Sequence, residues 1–129
     1  MNKSILLIED NEENRYLATF LLAGRGWHVT HAPDGPRGLE LAAQMQPAVI
    51  LLDIQLPGMD GYAVATALRQ NASLDAVPIV AVTSYAMPGD RERCMQSGCD
   101  GYLEKPIDPL TFVQDVESFI KTDKEQAAS

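Results

Sequence analysis

Apolar residues gather along this chain in three short unbroken runs, Ile5-Leu6-Leu7-Ile8, Val49-Ile50-Leu51-Leu52 and Ile79-Val80-Ala81-Val82. None alternates polar with apolar. Continuous runs of this length predict strands covered on both faces, as in a parallel sheet. Two weaker strands are expected over residues 27–32 and 101–103. The stretches between are long enough for helices. The first follows Asn11, a good N-cap, with Leu17, Phe20, Leu21 and Gly24 on one face, and ends at Gly24 and Gly26. The second covers roughly residues 35–44, with Leu39, Ala42 and Ala43 facing in and Pro47 just beyond its end. The third starts near Asp60, another plausible cap, and stops before Asn71. The fourth, residues 88–96, is the most polar. The fifth covers about 109–121 with Val113, Val116 and Ile120 as its inward stripe.

Strand and helix thus alternate five times. That pattern calls for right-handed crossovers and helices on both faces of one sheet. The predicted fold class is α/β, a three-layer α/β/α sandwich around a doubly wound five-stranded parallel sheet of order 2-1-3-4-5. One domain is expected over residues 1–122, followed by a polar, frayed tail over 123–129. The chain stops right after the fifth helix, so no DNA-binding output domain is expected.

Composition narrows the function. The 129 residues suit one domain, and 46% are hydrophobic. The net charge of −8 argues against nucleic acid or an anionic membrane as partner, since both attract Lys and Arg. Cys94 and Cys99 lack metal-ligand spacing and read as small buried or half-buried thiols. The opening apolar run is too short for a signal-peptide core, and no run approaches a membrane span, so a cytoplasmic protein is expected.

Each central run ends on a group able to do chemistry. The first leads into Glu9-Asp10, the second into Asp53 and the third into Thr83, while Lys105 follows the weak fifth strand. In doubly wound folds, sites form outside the carboxyl ends of the strands where strand order reverses. Here that point lies between strands one and three, which puts Asp10 beside Asp53, with Thr83 and Lys105 on the next strands over. Taken singly, an Asp after a strand is more often a cap or turn residue, and a lone Lys is usually solvated. Four such groups at four strand ends are what point to a site. Three crowded carboxylates repel one another and favour a hard divalent cation, and Mg²⁺ suits such a set. A metal, an amine and a hydroxyl around a carboxylate suit phosphoryl transfer, with Asp53 as nucleophile and Thr83 and Lys105 on the phosphate side.

Taken in order, Ile5-Leu6-Leu7-Ile8-Glu9-Asp10-Asn11, Asp53-Ile54-Gln55-Leu56-Pro57-Gly58-Met59-Asp60-Gly61, Val82-Thr83-Ser84 and Gly101-Tyr102-Leu103-Glu104-Lys105-Pro106 resemble the response-regulator receiver family. Within it the chain looks most like stand-alone single-domain regulators of the DivK type, over essentially residues 3–121. The resemblance implies Asp53 as phosphoacceptor. It implies Mg²⁺ on Asp10, Asp53 and the backbone carbonyl of Gln55, with Glu9 acting through a metal-bound water. Thr83 and Lys105 would hold phosphoryl oxygens together with the backbone N–H groups of Ser84 and Gln55. The Lys105-Pro106 bond would be cis. Thr83 and Tyr102 would form a switch that reshapes the surface of the fourth helix, fifth strand and fifth helix. Glu9 stands where many relatives have Asp. Such a domain is no enzyme toward other molecules but assists its own phosphorylation and dephosphorylation. Its partners would be a sensor histidine kinase or histidine phosphotransfer protein, docking near Asn14, Tyr16 and Leu17, and a downstream protein target.

Rival readings fare worse. A flavodoxin-like electron carrier needs a Ser/Thr/Gly-rich phosphate cradle after the first strand, where this chain has Glu9-Asp10-Asn11-Glu12-Glu13. A haloacid-dehalogenase-type phosphohydrolase carries DxD after its first strand, whereas the candidate nucleophile here follows the third. A receiver that binds partners without phosphorylation would not need every reactive group. His28 and His31, on an edge strand, lack companion ligands, and Trp27 reads as a packing residue.

Overall fold

The computed structural model describes residues 2–56, 58–84 and 87–120. Strands β1 (Ser4–Ile8), β2 (His28–Ala32), β3 (Val49–Asp53), β4 (Ile79–Thr83) and β5 (Gly101–Glu104) alternate with helices α1 (Glu12–Ala23), α2 (Gly35–Met45), α3 (Gly61–Arg69), α4 (Asp90–Gln96) and α5 (Phe112–Ser118). A 3-10 turn at Ala72–Leu74 precedes β4. The strands form one sheet in the order β2-β1-β3-β4-β5, all pairs parallel, as the alternation predicts. The expected tail and Lys121 lie outside the described residues.

The unbroken runs have two dry faces because successive side chains on a strand point opposite ways. Leu6, Ile8, Ile50, Leu52, Ile79 and Ala81 pack with residues of α2, α3 and α4. Ile5, Leu7, Val49, Leu51 and Val80 pack instead with Ala18 and Leu22 of α1 and with Phe112 and Val116 of α5. Ile5, Leu6, Ile8, Val49, Ile50, Leu51, Leu52, Ile79 and Val80 are wholly inaccessible. Burying a side chain of this size contributes about 1.5–3 kcal/mol. Close packing leaves no room at some glycines. A Cβ on Gly38 would lie 2.5 Å from Ile8 Cδ1, and one on Gly61 would lie 2.5 Å from the backbone Cα of Ile54.

Capping sets most helix starts. Asn11, Asp34 and Asp60 accept from the backbone N–H of Asn14, Arg37 and Ala63 at 2.9, 2.9 and 2.8 Å. The last two helices are shorter than expected. Gly89 is left-handed, with φ of 89°, so α4 begins at Asp90 and not at Pro88. At α5 the Asp108 carboxylate accepts the N–H of Leu110, and residues 109–111 turn before Phe112 starts the helix. Inward faces also differ. Phe112 joins Val116 as a buried anchor of α5, while Val113 and Ile120 are only half-buried. On α1 the buried pair is Ala18 and Leu22. Leu17 and Leu21 are half-buried, Gly24 is exposed, and Phe20 lies outside against Tyr16, with centroids 6.3 Å apart. Ala43 of α2 is exposed. In each case the helix is rotated by a fraction of a turn from the face inferred by spacing alone.

Trp27 is buried just before β2, and its Nε1 donates to Glu117 of α5 at 3.0 Å. Cys94 and Cys99 are buried free thiols, and desolvation pushes Cys99 up to about 12. At the amino-terminal rim of the sheet, Arg69 donates to the carbonyls of Gly98, Leu74 and Val77 at 2.8, 2.9 and 3.0 Å. Among the described residues, no helix is long and apolar enough to cross a membrane.

Replacing Gly61 by Ala forces the backbone after β3 to shift. We expect a loss of about 1–3 kcal/mol, measured as a lower urea midpoint with unchanged slope. An unaltered midpoint would show that the β3–α3 junction can yield freely.

Candidate functional site

The carboxyl ends of four strands meet on one rim. Single backbone bonds carry the ladders past the strand ends: Glu9 N donates to Ala32 O at 3.0 Å, Ile54 N to Val82 O at 3.2 Å, and Lys105 N to Thr83 O at 2.8 Å. The residues just beyond the sheet therefore inherit its positions. The result brings Glu9, Asp10, Asp53, Thr83 and Lys105 to one rim of the sheet, as the strand order implies.

Glu9, Asp53 and Thr83 are buried, at 3%, 4% and 1% exposure, whereas Asp10 is exposed. One carboxylate oxygen from each of Glu9, Asp10 and Asp53 lies within 4.8 Å of the others. Lys105 Nζ is 2.7 Å from Glu9 Oε1 and 3.4 Å from Asp53 Oδ2. Two buried acids thus share one ammonium. Breaking such a pair strands a charge in a poorly solvated place. The Lys105-Pro106 bond is cis.

The ammonium does not fully relieve the crowding. Burial, followed by a hydrogen bond with Asp53, pushes the Glu9 carboxyl up to about 7, against the opposing pull of Lys105. A further positive charge in this nest would favour loss of the Glu9 proton. Three convergent hard oxygen donors, one of them facing solvent, fit a divalent cation that keeps several of its waters. Glu9, Asp10 and Asp53 are the side chains that could hold it. The extra methylene of Glu9 leaves its carboxylate inside the group.

The loop after β3 supplies more. Gln55 N donates to Asp53 Oδ1 at 2.9 Å. Its side chain reaches across to β4, where Nε2 donates to Thr83 Oγ1 and Oε1 accepts from Ser84 N at 3.1 Å. Sequence reasoning assigned Gln55 only backbone roles. Its position two residues beyond Asp53 was the available signal, but a flexible side chain's direction cannot be read from spacing.

A second contact crosses between elements. His31 Nε2 donates to the Glu9 carbonyl at 2.7 Å, and Arg15 donates to Nδ1 at 3.2 Å. This fixes the neutral tautomer and ties α1 to the acidic loop. Tyr102 of β5 is half-buried beside the α2–α3–α4 core, and desolvation raises its hydroxyl pKa. On α4, only Cys94 is buried. That helix is tethered to α3 through Tyr62, whose hydroxyl donates to Asp90 at 3.1 Å and whose ring lies 4.0 Å beneath the Arg93 guanidinium.

A parallel sheet of order 2-1-3-4-5 with this acid, hydroxyl and ammonium rim is the arrangement of a signalling receiver. The response regulator receiver domain family matches residues 5–117, and the chain belongs to it. It is 38% identical over 120 residues to the polar-differentiation response regulator DivK of Brucella ovis, spanning 93% of this chain and 98% of the relative. The receiver domain of a Pseudomonas aeruginosa sensor histidine kinase, with magnesium ion coordinated in its active site cleft, superposes with a TM-score of 0.85 at 34% identity, covering 95% of this chain and all of that one. Vibrio cholerae chemotaxis protein CheY4 superposes with a TM-score of 0.88 at 25% identity, covering 93% of this chain and all of that one. The receiver membership and fold implied by the sequence are borne out.

The raised Glu9 pKa has a definite sign. Without metal, the folded protein holds a proton that the unfolded chain releases near 4.5. Glu9's contribution to stability is therefore present below that value and is lost as pH rises through about 7. A cation held there would expel the proton, so Mg²⁺ affinity should climb across the same window. Calorimetric Mg²⁺ titration at about pH 6 and about pH 8 checks this. Equal affinities in parent and Glu9→Gln at both values would remove the coupling.

Proposed function

We propose that the chain is a phosphorylatable response regulator of a two-component phosphorelay, accepting a phosphoryl group on Asp53 with Mg²⁺. The observation that carries this reading is the Lys105 ammonium placed between buried Glu9 and Asp53 on the rim that also holds Thr83. Asp10, Asp53, the Gln55 backbone carbonyl and, through a water, Glu9 would hold the cation. When bound, it supplies charge neutralisation for the incoming phosphoryl oxygens.

The donor is a phosphohistidine of a sensor kinase or phosphotransfer protein. An Asp53 carboxylate oxygen forms the new O–P bond as the donor's N–P bond breaks, and the leaving imidazole keeps the electron pair and takes up a proton. Lys105, held more closely by Glu9 than by Asp53 at rest, is drawn toward the added charge. Thr83 Oγ1 and the N–H groups of Ser84 and Gln55 donate to phosphoryl oxygens. The chain is thus no enzyme toward other molecules; it assists its own phosphorylation and dephosphorylation. The kinase or phosphotransfer partner docks on α1 near Asn14, Tyr16 and Leu17, where Tyr16 is 71% exposed. The setting is cytoplasmic, with neither nucleic acid nor membrane as partner.

Phosphorylation adds about two negative charges at Asp53. Thr83 moves toward them, and the Tyr102 ring follows into the space it leaves. The surface of α4, β5 and α5 changes shape and engages a downstream protein. Seven-residue α4, with one buried anchor, is suited to that movement.

With acetyl phosphate and Mg²⁺, the parent should gain one phosphate per chain and Asp53→Asn none, read by intact-protein mass. Comparable labelling of Asp53→Asn would refute the acceptor assignment. Thr83→Ala should still be phosphorylated at Asp53, yet its Tyr102 ring resonances should not move on phosphorylation. Parent-like shifts in that variant would remove Thr83 from the switch.

A further inference from the structure

In the resting protein, the groups expected to receive phosphoryl oxygens already have an occupant. The Gln55 carboxamide spans from the β3–α3 loop to the end of β4 and engages two neighbours at once. Its Nε2 donates to Thr83 Oγ1, and its Oε1 accepts the Ser84 N–H at 3.1 Å. The root of the side chain is fixed, because Gln55 N donates to Asp53 Oδ1 at 2.9 Å. Gln55 is half-buried and Thr83 is 1% exposed. Oε1 is thus a neutral acceptor placed where an anionic oxygen would take the same N–H. The Nε2–H bond also takes up lone-pair capacity on Thr83 and orients its hydroxyl.

We propose that the Gln55 side chain is a built-in competitor for the phosphoryl-oxygen site, a positioning residue that must swing out before Asp53 can be loaded. This inference rests on the phosphoacceptor reading given above. A tethered competitor acts at high effective concentration, so the open site is only a fraction of the resting population. Every anion that needs Ser84 N–H and Thr83 Oγ1 is disfavoured by that fraction. The loaded state has the opposite balance. A phosphoryl oxygen forms a charge-assisted bond to the same Ser84 N–H, stronger than that of a neutral amide. Once displaced, the carboxamide stays out. The device therefore discriminates against weak anions and transient contacts while yielding to a covalently attached phosphate.

Two variants separate the hydrogen bonds from the bulk. Gln55→Ala removes both bonds and the volume, whereas Gln55→Met keeps the length without polar atoms. In the unphosphorylated protein, amide exchange at Ser84, followed by NMR, should speed up about tenfold in both variants, for one lost hydrogen bond. With acetyl phosphate and Mg²⁺, Gln55→Ala should load Asp53 about tenfold faster and bind beryllofluoride about tenfold more tightly. Gln55→Met should move both in the same direction by less. Asp53→Asn is run in parallel. If Asp53→Asn takes up phosphate, the acceptor reading itself fails. If it stays silent while Ser84 exchange is unchanged in both folded variants, the carboxamide does not hold the site. If exchange rises but loading and beryllofluoride affinity do not improve in either variant, Gln55 holds the loop without gating the chemistry.

Discussion

Everything at the functional rim depends on one cation among buried acids. Lys105 lies 2.7 Å from Glu9 and 3.4 Å from Asp53, and both carboxylates are almost fully covered. Carboxylates in such a place ionise only with compensation. Lys105 supplies part of it, and the remainder is visible as the raised pKa of Glu9. The rim is consequently short of positive charge. That deficit would favour a divalent cation beside Asp10, and a bound cation would in turn offset an incoming negative charge.

The sheet makes this possible by geometry alone. Parallel strands all point their carboxyl ends one way, so residues from distant parts of the sequence meet without any local motif. The dry core on both faces fixes strand register to the residue, because a slip by one would turn every apolar side chain to the wrong layer. Asp53 and Thr83 owe their placement to that register, and Glu9 and Lys105 to the single backbone bonds that extend it.

These are also the features that were legible in the sequence. The unbroken runs at residues 5–8, 49–52 and 79–82 revealed doubly covered strands, and the polar residue after each run revealed the rim. Helix ends were harder. Gly89 and Asp108 shorten α4 and α5 through a left-handed residue and a side-chain turn, local chemistry that a periodicity count overlooks. The outward turn of Phe20 and the inward role of Phe112 depend on helix rotation, which only packing decides. The Gln55 carboxamide and the Arg15–His31 contact were illegible for a related reason. Both are long side chains crossing between elements, and their targets exist only once the fold has formed.

The sheet has a second rim, organised by different means. There, Arg69 gathers the carbonyls of Gly98, Leu74 and Val77 and the Asp100 carboxylate, and none of Glu9, Asp10, Asp53, Thr83 and Lys105 lies among those loops. The acidic rim and this loop architecture thus occupy opposite poles, separated by strands of four or five residues. The exposed turn residues 24–26 and 46 belong to the far pole and escape the guanidinium's grip. They are natural ports for grafting a reporter peptide or an affinity handle while the business end keeps its geometry.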